Sequence, residues 1–167
     1  MDLETVRLLY GYNHWVNERL LTTVDEVPAD RLRERFGASF DSIHGTLGHI
    51  LGAEIAWLSR WKGVSPSKVL TGNDFASLDE IKSRWGEQQR ELDAFIAGLT
   101  PEQLAAPLPY RNTAGDSYTL PLWQLMLHAA NHATHHRSEL ADMLTRAGHP
   151  PKPTDLVRYC LELSGQA

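Results

Sequence analysis

Cysteine is almost missing from this chain: Cys160 stands alone among 167 residues. A single thiol excludes an internal disulfide framework and any zinc knuckle built from cysteines. It fits a reducing, cytoplasmic setting. Long apolar runs are missing too. None approaches the ~20 residues that a membrane-spanning helix needs, so no membrane partner is expected. Nor is there an excess of basic residues: 16 Lys and Arg stand against 21 Asp and Glu, for a net charge of −5. Without a basic stripe, no nucleic-acid partner is expected. Several catalytic signatures are absent as well. There is no Gly-rich phosphate loop and no Gly-x-Ser-x-Gly elbow, which leaves phosphate-cradle and serine hydrolase chemistry without a basis. Neither His-Glu-x-x-His nor Glu-x-x-His occurs, which excludes the metalloprotease helix and the di-iron carboxylate bundle. The opening Met1-Asp2-Leu3-Glu4-Thr5 reads as the start of a helix rather than as a signal peptide.

What the chain does have is histidine, and it is concentrated. Four of the eight histidines lie between His128 and His136. His132 and His136 are one helical turn apart, so on a helix they project the same way. At about 100° per residue their mean direction coincides with that of Leu125 and Met143, and Ala129, Glu139 and Leu140 lie within about 60° of it. The pair is therefore predicted at the middle of a core-facing stripe. A buried histidine is commonly a hydrogen-bonded core residue. Two in register would be costly to bury without partners, and one metal ion satisfies both.

Helical periodicity recurs along the chain. Four long amphipathic helices are predicted near residues 2–25, 41–61, 77–99 and 120–147, with short connecting helices and a last one over Asp155 to Leu163 that packs Leu156, Tyr159 and Cys160 onto the bundle. That pattern is an all-α, four-helix bundle, one domain over 1–167. Asn13 and Asn17 fall on or beside the apolar stripe of the first helix and are expected to bond locally or to a loop. In the second helix Leu47, Leu51 and Leu58 form one face. His49 lies opposite them, among Ser42, Gly45, Thr46, Gly52, Ala53 and Ala56. Small residues there leave room for an ion, a ligand or a close neighbouring helix. His44 points elsewhere and is expected at a surface or flank, and Glu54 lies too far off the His49 direction to be assigned as a ligand. Lys62 to Ala76 is a long polar connection, either a functional lid or a solvated loop. Ser77-Leu78-Asp79-Glu80 reads as a capping box and Thr100-Pro101-Glu102-Gln103 as a second cap. Leu108 to Thr119, with Gly115-Asp116, reads as a small hairpin.

Bundles build metal sites from facing helices. His49 is the best outside candidate to join His132 and His136. Three imidazoles with an open position make a reactive site rather than a closed structural one. Zinc or nickel suits such a donor set best, with iron or manganese possible.

The motifs carry a resemblance. Tyr12-Asn13-His14-Trp15-Val16-Asn17 opens the first helix. Leu47-Gly48-His49-Ile50-Leu51-Gly52-Ala53-Glu54-Ile55-Ala56-Trp57 follows on the second, and Asn131-His132-Ala133-Thr134-His135-His136-Arg137 on the fourth. With the closing Pro150 to Leu156, these resemble the DinB-like (DinB/YfiT) bundle proteins, a group that includes mycothiol-dependent enzymes. The resemblance covers nearly the whole chain. It implies a divalent metal on His49, His132 and His136, the residues that spacing had already singled out. Where that family often has Gly-Gln after His-Arg, this chain has Ser138-Glu139, which alters the surroundings of the ion rather than its ligands.

Two functions follow from the resemblance. One is a metal-dependent enzyme, a thiol-dependent transferase or a hydrolase, acting on a small molecule with a low-molecular-weight thiol as partner. The other is a non-catalytic, damage- or stress-associated metal-binding bundle. Glu139, one turn from His136, is the candidate catalytic residue: a proton carrier, a partner orienting an imidazole, a fourth ligand, or a rim charge. His128 and His135 flank the pair, at the mouth of the site or on the surface. A homodimer is expected through the leucine face of the second helix with Trp57, Trp61 and Trp85, if these are not core.

Overall fold

The computed structural model describes residues 1–166. The expected domain over 1–167 runs to Ala167, which lies outside the described residues. Four long helices are present: α1 (Leu3–Val24), α2 (Ile43–Trp61), α3 (Leu78–Ala97) and α5 (Leu122–Arg146). Between the last two lie the short α4 (Pro101–Ala105) and the strands β1 (Pro107–Arg111) and β2 (Ser117–Pro121); α6 (Leu156–Leu163) closes the chain. The strands pair antiparallel with Tyr110 opposite Tyr118, the small hairpin that the turn residues predicted. No helix of the described residues is long and apolar enough to cross a membrane.

The helix ends follow side-chain chemistry. Asp2 accepts from the Thr5 amide at 2.8 Å and Ser42 from the Gly45 amide at 3.0 Å, each satisfying an otherwise orphaned donor of the first turn. At α3 the Ser77 hydroxyl caps Glu80 N at 3.2 Å, but Glu80 accepts from Ala76 N rather than from Ser77 N, so the expected reciprocal box is displaced by one residue. The box at Thr100 and Gln103 is complete.

The four long helices form a closed ring in which α1 meets α5, α5 meets α2, α2 meets α3, and α3 meets α1. The apolar interior is divided in two. One cluster holds Leu20, Leu47, Leu51, Ile81 and Met143; the other holds Val6, Leu58, Leu92, Leu125 and Met126. Between them, at mid-height, every long helix contributes a polar side chain: Asn13 and Asn17 from α1, Glu54 from α2, Gln88 from α3 and Arg137 from α5. Arg137 is 4% exposed and donates to Asn13 O at 3.1 Å, Asn13 Oδ1 at 2.7 Å and Asn17 Oδ1 at 3.4 Å. Asn17 Nδ2 in turn donates to Glu54 at 3.1 Å, and Trp85 Nε1 to the other Glu54 oxygen at 2.9 Å. The two asparagines thus serve a distant arginine, not local turns as expected. A buried guanidinium needs such a shell of acceptors, because its charge cannot be removed at accessible pH.

Four further expectations are corrected. His44 is buried, not at a surface: its Nε2 lies 2.9 Å from Gly72 O, 3.1 Å from Phe75 O and 2.9 Å from Arg33. The cause is the 62–76 connection, which folds back onto α2 instead of standing in solvent. Its backbone comes so close that a Cβ on Gly48 would lie 2.4 Å from Gly72 Cα, and one on Gly52 would lie 2.0 Å from Leu70 O. Gly48 and Gly52 of α2 therefore admit a loop backbone, while the same helix also packs against α5. The leucine face is also used up within the chain, with Leu47, Leu51 and Leu58 at most 2% exposed, so it offers no area to a second copy. Finally, Leu156 of α6 is exposed, while Tyr159 carries that helix's contact, against Tyr12 and Trp15.

Candidate metal centre

α2 and α5 run alongside one another and bring His49 together with His132 and His136. One ring nitrogen from each lies within 4.8 Å of the others. His49 Nε2 and His132 Nε2 are 3.4 Å apart. The His136 ring centroid is 4.4 Å from that of His49 and 4.5 Å from that of His132. His136 is buried; His49 and His132 are half-buried and border the exterior of the groove.

The third imidazole is fixed in orientation. Glu139 Oε2 lies 2.8 Å from His136 Nδ1, and Glu139 Oε1 accepts from Ser39 Oγ at 2.6 Å. Burial pushes the Glu139 carboxyl up, but the Ser39 and His136 hydrogen bonds and the nearby imidazoles outweigh it and hold the group below its ordinary range. An ionised carboxylate only accepts, so His136 Nδ1–H is the donor of this bond, which leaves Nε2 as the nitrogen free to face an ion. A carboxylate on the outer nitrogen of a ligating imidazole is the usual support of a metal ligand. The departure Ser138-Glu139 supplies that support. Among the described residues, His49 and His132 have no comparable acceptor on Nδ1.

His49 and His132 are also kept neutral. Burial first, and then the neighbouring His136 imidazole, lowers each from the ordinary 6.5 to about 4. Neutral imidazoles are what a cation requires. Phe40 stacks on His49 with centroids 3.7 Å apart and rings 16° from parallel, and it meets His136 edge-on at 5.3 Å, so it covers one side of the cluster. Neither Ser39 nor Phe40 was legible beforehand, because both sit in a short irregular loop before α2 with no periodicity to place them.

The remaining candidates fall outside the triad. His135 is exposed, with Nε2 3.7 Å from Glu139 Oε1. His128 lies one turn before His132, its ring 6.0 Å from that of His132 and 5.0 Å from Trp57. Glu54, not assigned as a ligand, is held by Asn17 and Trp85 in the mid-height layer.

Comparison with known proteins agrees with the motifs. The DinB family profile matches residues 1–162, and the chain belongs to the DinB family. It is 27% identical over 161 residues to Protein DinB of Bacillus subtilis (strain 168), across 90% of this chain and 91% of that protein.

Proposed function

We propose that this member of the DinB family binds one divalent metal ion through His49, His132 and His136 and uses it on a small-molecule substrate, as a thiol-dependent transferase or a hydrolase. The observation that carries the reading is the 3.4 Å between His49 Nε2 and His132 Nε2. Two imidazole nitrogens each about 2.05 Å from one ion in tetrahedral array are about 3.3 Å apart. The protein thus holds the pair at the spacing that two ligands of one ion need. The hard-to-soft balance of three imidazoles suits zinc or nickel. Such an ion, when bound, supplies Lewis acidity that makes a thiol or water nucleophilic near neutral pH.

The chain's own residues do the rest. Glu139 holds the proton at His136 Nδ1 and thereby aims Nε2. With both oxygens engaged, it fits a positioning residue better than a free proton carrier. Phe40 excludes water from one side of His49.

Metal analysis of the purified full chain tests the reading, with His132→Ala and His49→Ala beside it. One ion per chain is expected in wild type, with tight binding lost in either variant. Undiminished stoichiometry and affinity in the variants would overturn the site. A screen of the metal-loaded protein with thiol cosubstrates then separates enzyme from binder, since bound metal without turnover would favour a non-catalytic bundle.

A further inference from the structure

Beyond the histidines, the groove between α2 and α5 is closed off by the β1–β2 hairpin. There lies a half-open pocket of ≈ 350 Å³ lined by Trp57, Arg60, Tyr110, Asn112, Gln124 and His128, among others. No acidic side chain lines it. Arg60 is the unusual member. It is 6% exposed, yet among the described residues no carboxylate pairs with it. Its one hydrogen bond runs from Nε to Arg111 O at 3.2 Å, which ties it to the hairpin. Its Cζ sits 4.7 Å from the Trp57 ring centroid and 6.0 Å from that of Tyr110, held between aromatic walls. The two terminal amino groups donate to nothing in the described protein and are not sealed from the cavity. Compare Arg137, more deeply buried, whose amino groups are met by two asparagines and Thr134. A buried guanidinium carries a desolvation penalty that an anionic partner offsets, and its unused fork matches a carboxylate.

We propose that this cavity is a subsite for the carboxylate of a small molecule, with Arg60 taking the anion and Trp57 and Tyr110 the flat or apolar part beside it. The charge favours a carboxylate over a phosphate: one guanidinium stands there with the neutral amide of Gln124, while Asn112 Nδ2 is already given to Asp116 at 3.0 Å, too little for a dianion. On α2, Arg60 follows His49 by eleven residues, about 16 Å along the axis and close to the same face. On α5, His128 joins the cavity wall to the His132 turn. If the metal centre acts as proposed above, on which this extension rests, its substrate or thiol is an extended, carboxylate-bearing molecule whose charged end is read at Arg60.

The probes are benzoate, its neutral isostere benzamide, and inorganic phosphate, titrated calorimetrically into the full chain. Benzoate is expected to bind about tenfold or more tightly than benzamide, as a charge-assisted hydrogen-bond pair allows. Arg60→Gln is expected to abolish that preference with benzamide binding unchanged, and Arg60→Lys to keep part of it. Should Arg60→Gln fail to fold, benzoate-induced shifts of the Arg60 guanidinium resonances in the wild type carry the test. His132→Ala separates the two readings, because benzoate preference is expected to survive there even where metal binding is lost. The subsite is overturned if benzoate does not bind at millimolar concentration or does no better than benzamide. It is overturned equally if the preference persists in Arg60→Gln or vanishes in His132→Ala. Phosphate binding as tightly as benzoate would overturn the assignment to a carboxylate.

Discussion

Glu139 and His136 are one helical turn apart, and the carboxylate meets the outer nitrogen of the imidazole at 2.8 Å. Because Ser39 holds the other oxygen at 2.6 Å, the pair is anchored to the loop before α2 as well as to α5. Glu139→Ala removes the anchor while leaving all three imidazoles in place. Metal affinity is expected to fall about 10–100-fold, as for other lost partners of ligating histidines. Competition against a chromogenic chelator reads this directly, and Glu139→Gln, which keeps an acceptor but not the charge, is expected to fall between. Unchanged affinity in Glu139→Ala would mean that the bond does not support a ligand.

A second expectation concerns acid. His49 and His132 are lowered to about 4 in the folded chain, first by burial and then by the His136 imidazole, whereas exposed imidazoles titrate near 6.5. As pH falls through 6.5, the unfolded chain takes up protons that the folded chain refuses. The metal-free protein therefore loses stability between about pH 6.5 and 4, and these two groups add no further slope below that. The lowered Glu139 carboxyl acts in the same direction at the acid end. Urea unfolding at pH 7.5, 6 and 5 is expected to show a steeper loss in wild type than in the His49→Ala/His132→Ala double variant. Equal slopes would refute the neutral, buried pair.

The site's ligands were legible because their signal is periodic. His132 and His136 share a stripe with Leu125 and Met143, and each of these apolar neighbours is at most 1% exposed. The four long helices were legible for the same reason, to within two residues at every end. What stayed hidden depends on tertiary contact between irregular segments. His44 reads as a flank residue by its angle on α2, and only the returning loop buries it, with Gly72 O and Phe75 O beside its Nε2. Asn13 and Asn17 read as stray amides until Arg137, more than a hundred residues away, needs acceptors. Arg60, one position before the apolar Trp61, gave no sign that the hairpin would enclose it.

The glycines of α2 show the same limit and lead to a prediction whose sign depends on structure. In an exposed helix interior, alanine is better than glycine by about 1 kcal/mol, because glycine loses more backbone freedom on folding. Gly86 in α3 is half-buried but has open space beside it: an added Cβ would find only Arg90 Nη1, at 3.7 Å, and Gly86→Ala is expected to stabilise by up to about 1 kcal/mol. Gly52 in α2 has the same propensity and the opposite surroundings. Its Cβ would fall 2.0 Å from Leu70 O and 2.7 Å from Leu70 C, both backbone atoms with no flexible end to swing aside. The loop must then retreat by more than an ångström. That movement strains its neighbour Gly72, whose carbonyl lies 2.9 Å from His44 Nε2. Overpacking of this kind typically costs about 1–3 kcal/mol, which exceeds the propensity gain. Gly52→Ala is therefore expected to destabilise while Gly86→Ala stabilises, in denaturant unfolding at constant slope. Two shifts of the same sign would show that the loop does not rest on α2 as closely as the backbone distances require.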